Sequence, residues 1–133
     1  MILHQSDYHK FEFFEEKSLF KMQWNSGAEE KGEEWYKSEM LIYIELVEKH
    51  NVKFVLIDVA EVSYALKPSL QHWMEENILR RGEKAGLQKT AVIVPPDIIM
   101  ELSIEQTFDE AVNSKVQRRV FGDYKEAEVW LFS

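Results

Sequence analysis

Few side chains in this sequence have the types and spacing that carry chemistry. Asp58 is the one acidic residue inside a strongly apolar run, VKFVLIDVA, and Ser63 and Tyr64 follow it closely. An Asp at the carboxyl end of a buried strand can accept a proton or bind a hydroxyl-bearing ligand, and the Ser and Tyr add hydrogen-bonding groups. The same Asp can equally accept N–H groups of the loop where the chain leaves the sheet. Both roles stay open at this point.

Motifs for catalysis or cofactor binding are otherwise missing. No two of the histidines, His4, His9, His50 and His72, have the i, i+4 spacing of a helical metal pair, so a metal site is not expected. There is no Gly-x-Ser-x-Gly turn, no Gly-rich phosphate loop and no cysteine. We therefore expect a protein that is not an enzyme and that carries no cofactor.

Composition narrows the class of protein further. The chain has 133 residues, 45% of them hydrophobic, which suits one domain with a sizeable core over residues 1–133. Sixteen basic against 24 acidic residues give a net charge of −8, which repels phosphate backbones and makes nucleic acid a poor partner. No apolar run is long enough for an integral membrane segment, and no secretory leader is present, so a cytoplasmic location is expected.

The first half of the chain predicts a hairpin, a helix and a central strand. Large apolar residues recur at every second position from Tyr8 to Trp24 on either side of a polar connection, Glu15 to Ser18, as in an antiparallel hairpin. Helical spacing of apolar residues follows over Glu29 to His50. The continuous apolar run Val52 to Ala60 is typical of a strand that is covered on both faces.

The second half alternates helices with strands. A helix is predicted to begin at Pro68 and to end near Gly82 and Gly86. Ser103 with Gln106 has the pattern of a capping box, which predicts that a further helix begins there, after a short turn capped by Asp97. The remaining predictions are strands over 90–94 and 116–121 and a last helix capped by Asp123.

The predicted order is therefore ββαβαβαβα, an α/β fold with a mixed sheet whose centre is parallel and whose faces carry helices. Right-handed crossovers would place the loops after Asp58 and Val94 at the carboxyl edge of the sheet. Ligands usually bind at this edge in α/β folds. The best site candidates therefore belong to one place in the predicted fold.

Three segments of this order resemble the SpoIIAA-like proteins, which are related to the STAS domain of anti-sigma-factor antagonists and anion transporters. The segments are KFVLIDVA, AVIVPP and the ending RRVFGDYKEAEVWLF. The resemblance implies a mixed sheet of four to five strands with a topology also likened to CRAL-TRIO lipid-transfer domains. It also implies a regulatory or protein-interaction module.

Anti-sigma-factor antagonists carry a phosphorylated serine in an Asp-Ser-Ser-Gly motif after the central strand, and this chain departs from that motif. Leu66, Lys67 and Pro68 stand in its place, and Ser69 lies one residue later. A phosphate on Ser69 would lie beside a helix N-terminus, which stabilises negative charge. An ordinary first-turn role for Ser69 is the simpler alternative, so the standard phosphoserine switch is not expected.

Two functions remain as hypotheses. In the first, the surface from Val62 to Trp73, with Trp73 as an apolar contact, docks a protein partner or a second copy in a homodimer. In the second, the protein carries a small apolar or lipid-like ligand between helices and sheet. Ile98, Ile99 and Met100, in the turn beside the proposed site, support the carrier.

Overall fold

The sheet has six strands, one more than the sequence predicts. A computed structural model describes residues 1–133 and places all strands in chain order across a single sheet. The additional strand is β1, a four-residue edge strand whose sequence ILHQ lacks a clear alternation of apolar and polar residues. The strands are β1 (Ile2–Gln5), β2 (His9–Phe14), β3 (Leu19–Trp24), β4 (Phe54–Asp58), β5 (Lys89–Ile93) and β6 (Gln117–Phe121).

The α/β class and the mixed sheet with a parallel half are confirmed. Strands β1 to β3 are antiparallel neighbours, and β3 to β6 are parallel. The predicted hairpin is β2 and β3, closed by one turn of 3-10 helix at Glu15–Lys17. Parallel neighbours need crossover connections, and each crossover contains helix. The crossover helices are α1 (Glu33–His50), α2 (Pro68–Met74) with α3 (Arg80–Lys84), and α4 (Ile98–Asp109).

The two faces of the sheet carry cores of different size. The larger core lies under α1, α2 and α4 and includes Phe11, Phe20 and Ile44, all fully buried. The smaller core lies under the last helix, α5 (Tyr124–Leu131), and includes Leu56. Strand β4 contributes to both cores, which explains its continuous apolar sequence.

One predicted helix start is wrong, and one predicted helix end is confirmed. Residues 29–31 belong to a short 3-10 helix, Ala28–Lys31, which Gly32 separates from α1. Gly32 has φ 91° and ψ 167°, a backbone conformation that only glycine adopts readily and that cannot continue a helix. The end of α3 at Lys84 lies between the predicted Gly82 and Gly86, and Gly86 follows the C-cap with φ 94°. A stretch of π-helix, Glu75–Leu79, joins α2 to α3.

Ser103 does not begin a helix, because α4 is continuous from Ile98. Its N-cap is Asp97, whose carboxylate accepts a hydrogen bond from the Met100 N–H at 3.1 Å. The Ser103 hydroxyl is buried and accepts from the backbone N–H of Leu66 at 3.0 Å. Ser103 therefore does not cap a helix, and its hydroxyl instead holds the neighbouring loop at Leu66. The predicted cap of the last helix is confirmed, because the Asp123 carboxylate accepts from the Glu126 N–H.

Candidate functional site

The loops that follow β4 and β5 meet at the carboxyl edge of the parallel strands, as predicted. The Ser63 hydroxyl donates a hydrogen bond to the Asp97 carboxylate, and the Tyr64 N–H donates to the Met100 sulfur at 3.4 Å. The Ser63 hydroxyl and, second, the Met100 N–H hold the pKa of the Asp97 carboxyl below its usual range. These contacts join the loop over residues 59–67 to the start of α4.

A cavity of about 100 Å³ lies beneath the joined loops, between the sheet and the helices of its larger core. Sixteen of its 19 lining residues are hydrophobic. The strands, α1, the α2–α3 connection and α4 all contribute to its wall, so the cavity is a gap in the larger core. The most buried lining residues include Trp24, Met40, Val92 and Met100.

One carboxylate interrupts this apolar wall. The Glu29 Oε1 accepts a hydrogen bond from the Gly27 N–H at 3.0 Å, whereas its Oε2 is buried and has no hydrogen-bond partner. Leaving a buried polar atom unpaired is costly, and a donor on a ligand would remove that cost. The exposed Gly32 also belongs to the wall, so this end of the cavity reaches the surface.

Two tyrosines on the wall stay neutral phenols. Burial raises the pKa of Tyr36 far above its ordinary value, and the neighbouring Tyr64 raises it further. Burial and, as the smaller cause, the negative charge of Glu33 also raise the pKa of Tyr64. The two rings lie with centroids 5.8 Å apart. Both side chains are therefore hydrogen-bonding phenols at neutral pH, and neither supplies a general base.

Asp58 lies apart from the cavity. It follows Ile57, which lines the cavity, so its side chain points to the opposite face of the sheet. There it borders a polar depression with Lys21 and Tyr124. Its carboxylate accepts a hydrogen bond from the Ala60 N–H at 3.0 Å. Of the two roles that the sequence leaves open, the structure shows acceptance of a loop N–H group. It does not bring Asp58 close to Ser63 and Tyr64.

The other two candidate residues lie on α2. Ser69 is exposed in the first turn of this helix. Trp73 is half-buried, with the Lys37 ammonium 5.4 Å from its ring centroid, and it does not line the cavity. Of the five predicted site residues, only Tyr64 contributes to the cavity wall, and Ser63 fixes the loop that carries it.

The structure also brings together a cluster that the sequence does not predict, formed by His4, His9 and Glu39. Both imidazole Nε2 atoms contact the Glu39 Oε1, at 2.9 Å in the case of His4. Burial alone would raise the pKa of Glu39, but hydrogen bonds from His4 and His9 outweigh it and hold this pKa below the usual range. The histidines are 35 and 30 residues away from Glu39 in the chain, so no local spacing indicates the cluster.

No protein-family model, curated protein or solved structure matches this chain. The similarity to SpoIIAA-like proteins therefore rests on the three sequence segments quoted above and stays a prediction. None of the helices has both the length and the apolar composition that crossing a membrane requires.

Proposed function

We propose that the protein binds a small, mainly apolar molecule that carries one hydrogen-bond donor. The observation that supports this function best is a cavity with an almost wholly apolar wall and one unpartnered, buried carboxylate oxygen, Glu29 Oε2. Ligand sites commonly combine apolar walls with a few polar groups that orient the ligand. A hydroxyl or amine on the ligand would donate to Glu29.

The cavity volume limits the ligand. Drug-sized ligands occupy pockets of about 300–1,000 Å³, and an apolar cavity of about 150 Å³ admits benzene. At about 100 Å³, the cavity in this conformation does not hold an acyl chain. The carrier hypothesis is therefore narrowed to a small ligand, or to a larger one for which the cavity opens.

The segment that would open is the short 3-10 helix Ala28–Lys31. Ala28 and Glu29 belong to the cavity wall. Gly27 and Gly32 flank this helix with φ values of 98° and 91°, so glycines occupy both of its ends. Mobile loops that close over a binding site often hinge at small residues at their two ends. Displacement of this segment would widen the cavity at its exposed end without separating the sheet from α1.

Phenol and benzene, which would enter once this segment is displaced, are suitable probes because they differ by the one donor that Glu29 would accept. Binding is followed through the methyl resonances of Val92 and Met100 in NMR titrations. We expect phenol to bind at least tenfold more tightly than benzene, because a hydrogen bond to a charged group is worth about 1.5–3 kcal/mol. Glu29→Met should abolish this preference while leaving benzene binding within about threefold.

Glu30→Met is the matched control, since Glu30 is the exposed neighbour of Glu29 in the same short helix and does not line the cavity. The preference for phenol should persist in this variant. If neither probe shifts the two methyl resonances, or if both variants keep the same preference, the proposed ligand site is wrong.

Docking of another protein is a second candidate function, and a patch of exposed apolar side chains favours it. Ile98, Ile99 and Leu102 are 78%, 65% and 51% exposed on the first turns of α4, beside the loop that carries Ser63. Such a patch fits an apolar groove on a protein partner. A purified partner that binds the wild type and a Val112→Ser control, but not Ile98→Ser/Ile99→Ser, would support docking. Equal binding to all three proteins would contradict it.

A further inference from the structure

Two imidazoles and one carboxylate converge where the edge of the sheet meets α1. His4 comes from β1, His9 from β2 and Glu39 from α1. One possible ligand atom from each of the three side chains lies within 4.8 Å of the other two. Three separate elements thus bring possible metal-ligand atoms to one point, outside the cavity beneath the loops.

We propose that His4, His9 and Glu39 bind one divalent transition-metal ion of the zinc class. Imidazole nitrogen and carboxylate oxygen are the donors of many zinc and non-haem iron sites, whereas Mg²⁺ and Ca²⁺ prefer oxygen alone. Three protein ligands leave at least one coordination position for water or another small molecule.

A shared ion fits once the ligand atoms move apart, most of all the His9 Nε2 and the Glu39 Oε1, which are in closer contact than the His4 Nε2 and the same oxygen. Bond lengths of about 2.0–2.2 Å to nitrogen and oxygen place tetrahedral ligands about 3.3 Å apart. The His4 Nε2 and the Glu39 Oε1 are 2.9 Å apart, so they would separate by about 0.4 Å. His4 is only half-buried, whereas the other two side chains are buried, so an ion would enter from the His4 side.

The surroundings of His9 resemble those of an oriented metal ligand. Its ring is fully buried and stacks on Trp35, with centroids 5.4 Å apart and planes at 14°. Its Nδ1 lies 3.1 Å from the Ser6 hydroxyl, which can accept a hydrogen bond from that nitrogen. Such a second partner fixes the tautomer that presents the Nε2 lone pair to a metal. The Ser6 hydroxyl thus lies where it can hold the His9 ring in this orientation.

Hydrogen bonding alone would also satisfy the three side chains, because both imidazoles can donate to Glu39. The two explanations differ in what the addition of metal does. Metal binding requires that stoichiometric Zn²⁺ and Co²⁺ bind the intact chain, and a purely hydrogen-bonded cluster does not.

The test is titration of the chelator-treated protein with Zn²⁺ by calorimetry and with Co²⁺ by visible absorption. We expect one equivalent of each ion to bind, and Co²⁺ to give a d–d spectrum of a low-symmetry site. The Trp35 ring stacks on His9, and the centroid of the Trp24 ring lies 5.0 Å from that of the His9 ring. Bound Co²⁺ should therefore also quench part of the tryptophan fluorescence. His4→Gln and Glu39→Gln should each lower the affinity by more than about 100-fold.

His72→Gln is the matched control, because His72 is an exposed histidine that contacts Glu76 and lies 3.6 Å from Glu110. This surface group is the alternative place for weakly held metal. The control should bind as the wild type does, and circular dichroism should show that every variant is folded. Absence of stoichiometric binding, equal binding by His4→Gln and the wild type, or loss of binding in His72→Gln would each overturn the proposal.

Discussion

Replacing Val92 by isoleucine tests whether the gap beneath the loops is a real void. Val92 lines the cavity from β5, whereas Val55 lies on the same sheet face, fully buried in β4, and does not line the cavity. The substitution Val→Ile adds the same single carbon at both positions. It should stabilise the protein at Val92, where space is free, and destabilise it at Val55, where the core is filled.

The expected magnitude follows from the volume. Burying one further carbon contributes about 0.8 kcal/mol. At about 24 cal/mol per Å³, a cavity of about 100 Å³ costs about 2.4 kcal/mol, and filling about a quarter of it recovers about 0.6 kcal/mol. The larger side chain loses up to about 0.5 kcal/mol of rotamer entropy. We therefore expect Val92→Ile to raise the free energy of unfolding by about 1 kcal/mol. Overpacking at Val55 should lower it by about 1–3 kcal/mol.

Urea unfolding followed by circular dichroism measures both variants. With an m-value of about 2 kcal/mol/M, the midpoint for Val92→Ile should rise by about 0.5 M, and the Val55→Ile midpoint should fall. The m-values should equal that of the wild type. If both midpoints fall alike, the space beside Val92 is not free and the reasoning from the cavity is refuted. Phenol binding provides an independent check, because Val92→Ile should weaken it.

Two further predictions concern the residues around the cavity. Gly32→Ala should lower the free energy of unfolding by about 1–3 kcal/mol through backbone strain alone, because an added Cβ meets no atom within 4 Å. At Gly122 an added Cβ also meets no atom within 4 Å, but the residue has no positive φ. Gly122→Ala should therefore leave the free energy of unfolding almost unchanged in the same urea assay. Because the pKa of Asp97 is lowered in the folded state, its carboxylate should stabilise the protein above pH about 3.9 and lose this effect as the pH falls through the lowered pKa. Asp97→Asn should weaken this part of the acid dependence of stability, and an unchanged dependence would contradict that assignment.

Elements with strong local patterns could be predicted from the sequence. Alternation over β2 and β3 and the continuous apolar run of β4 indicate the central strands correctly, because these positions pack against helices. Strand β1 has no such pattern. It is an edge strand in which two apolar residues precede two polar ones, and pairing with β2 holds it in place. A helix boundary such as the one at Gly32 depends on backbone dihedral angles that hydrophobic spacing does not report.

The site was harder to predict because its parts are distant in the chain. Burial made Asp58 the leading candidate, but side-chain alternation places it on the opposite face of the sheet from the cavity. Glu29 lies in a segment whose acidic residues look like an ordinary solvated helix start. The histidine–glutamate cluster depends on the pairing of β1 with β2 and on the packing of α1. None of these contacts is visible in local spacing.

The cavity and the histidine–glutamate cluster share a wall, and this decides which variants can separate their functions. Trp24 and Trp35 line the cavity, and both rings also lie against His9. A substitution at either tryptophan would therefore disturb both places and could not assign an effect to one of them. His4 and Glu39 belong only to the cluster, and Val92 and Glu29 only to the cavity. Two independent sites in one core would be established if metal affinity depends on His4 and Glu39 and the preference for phenol depends on Val92 and Glu29.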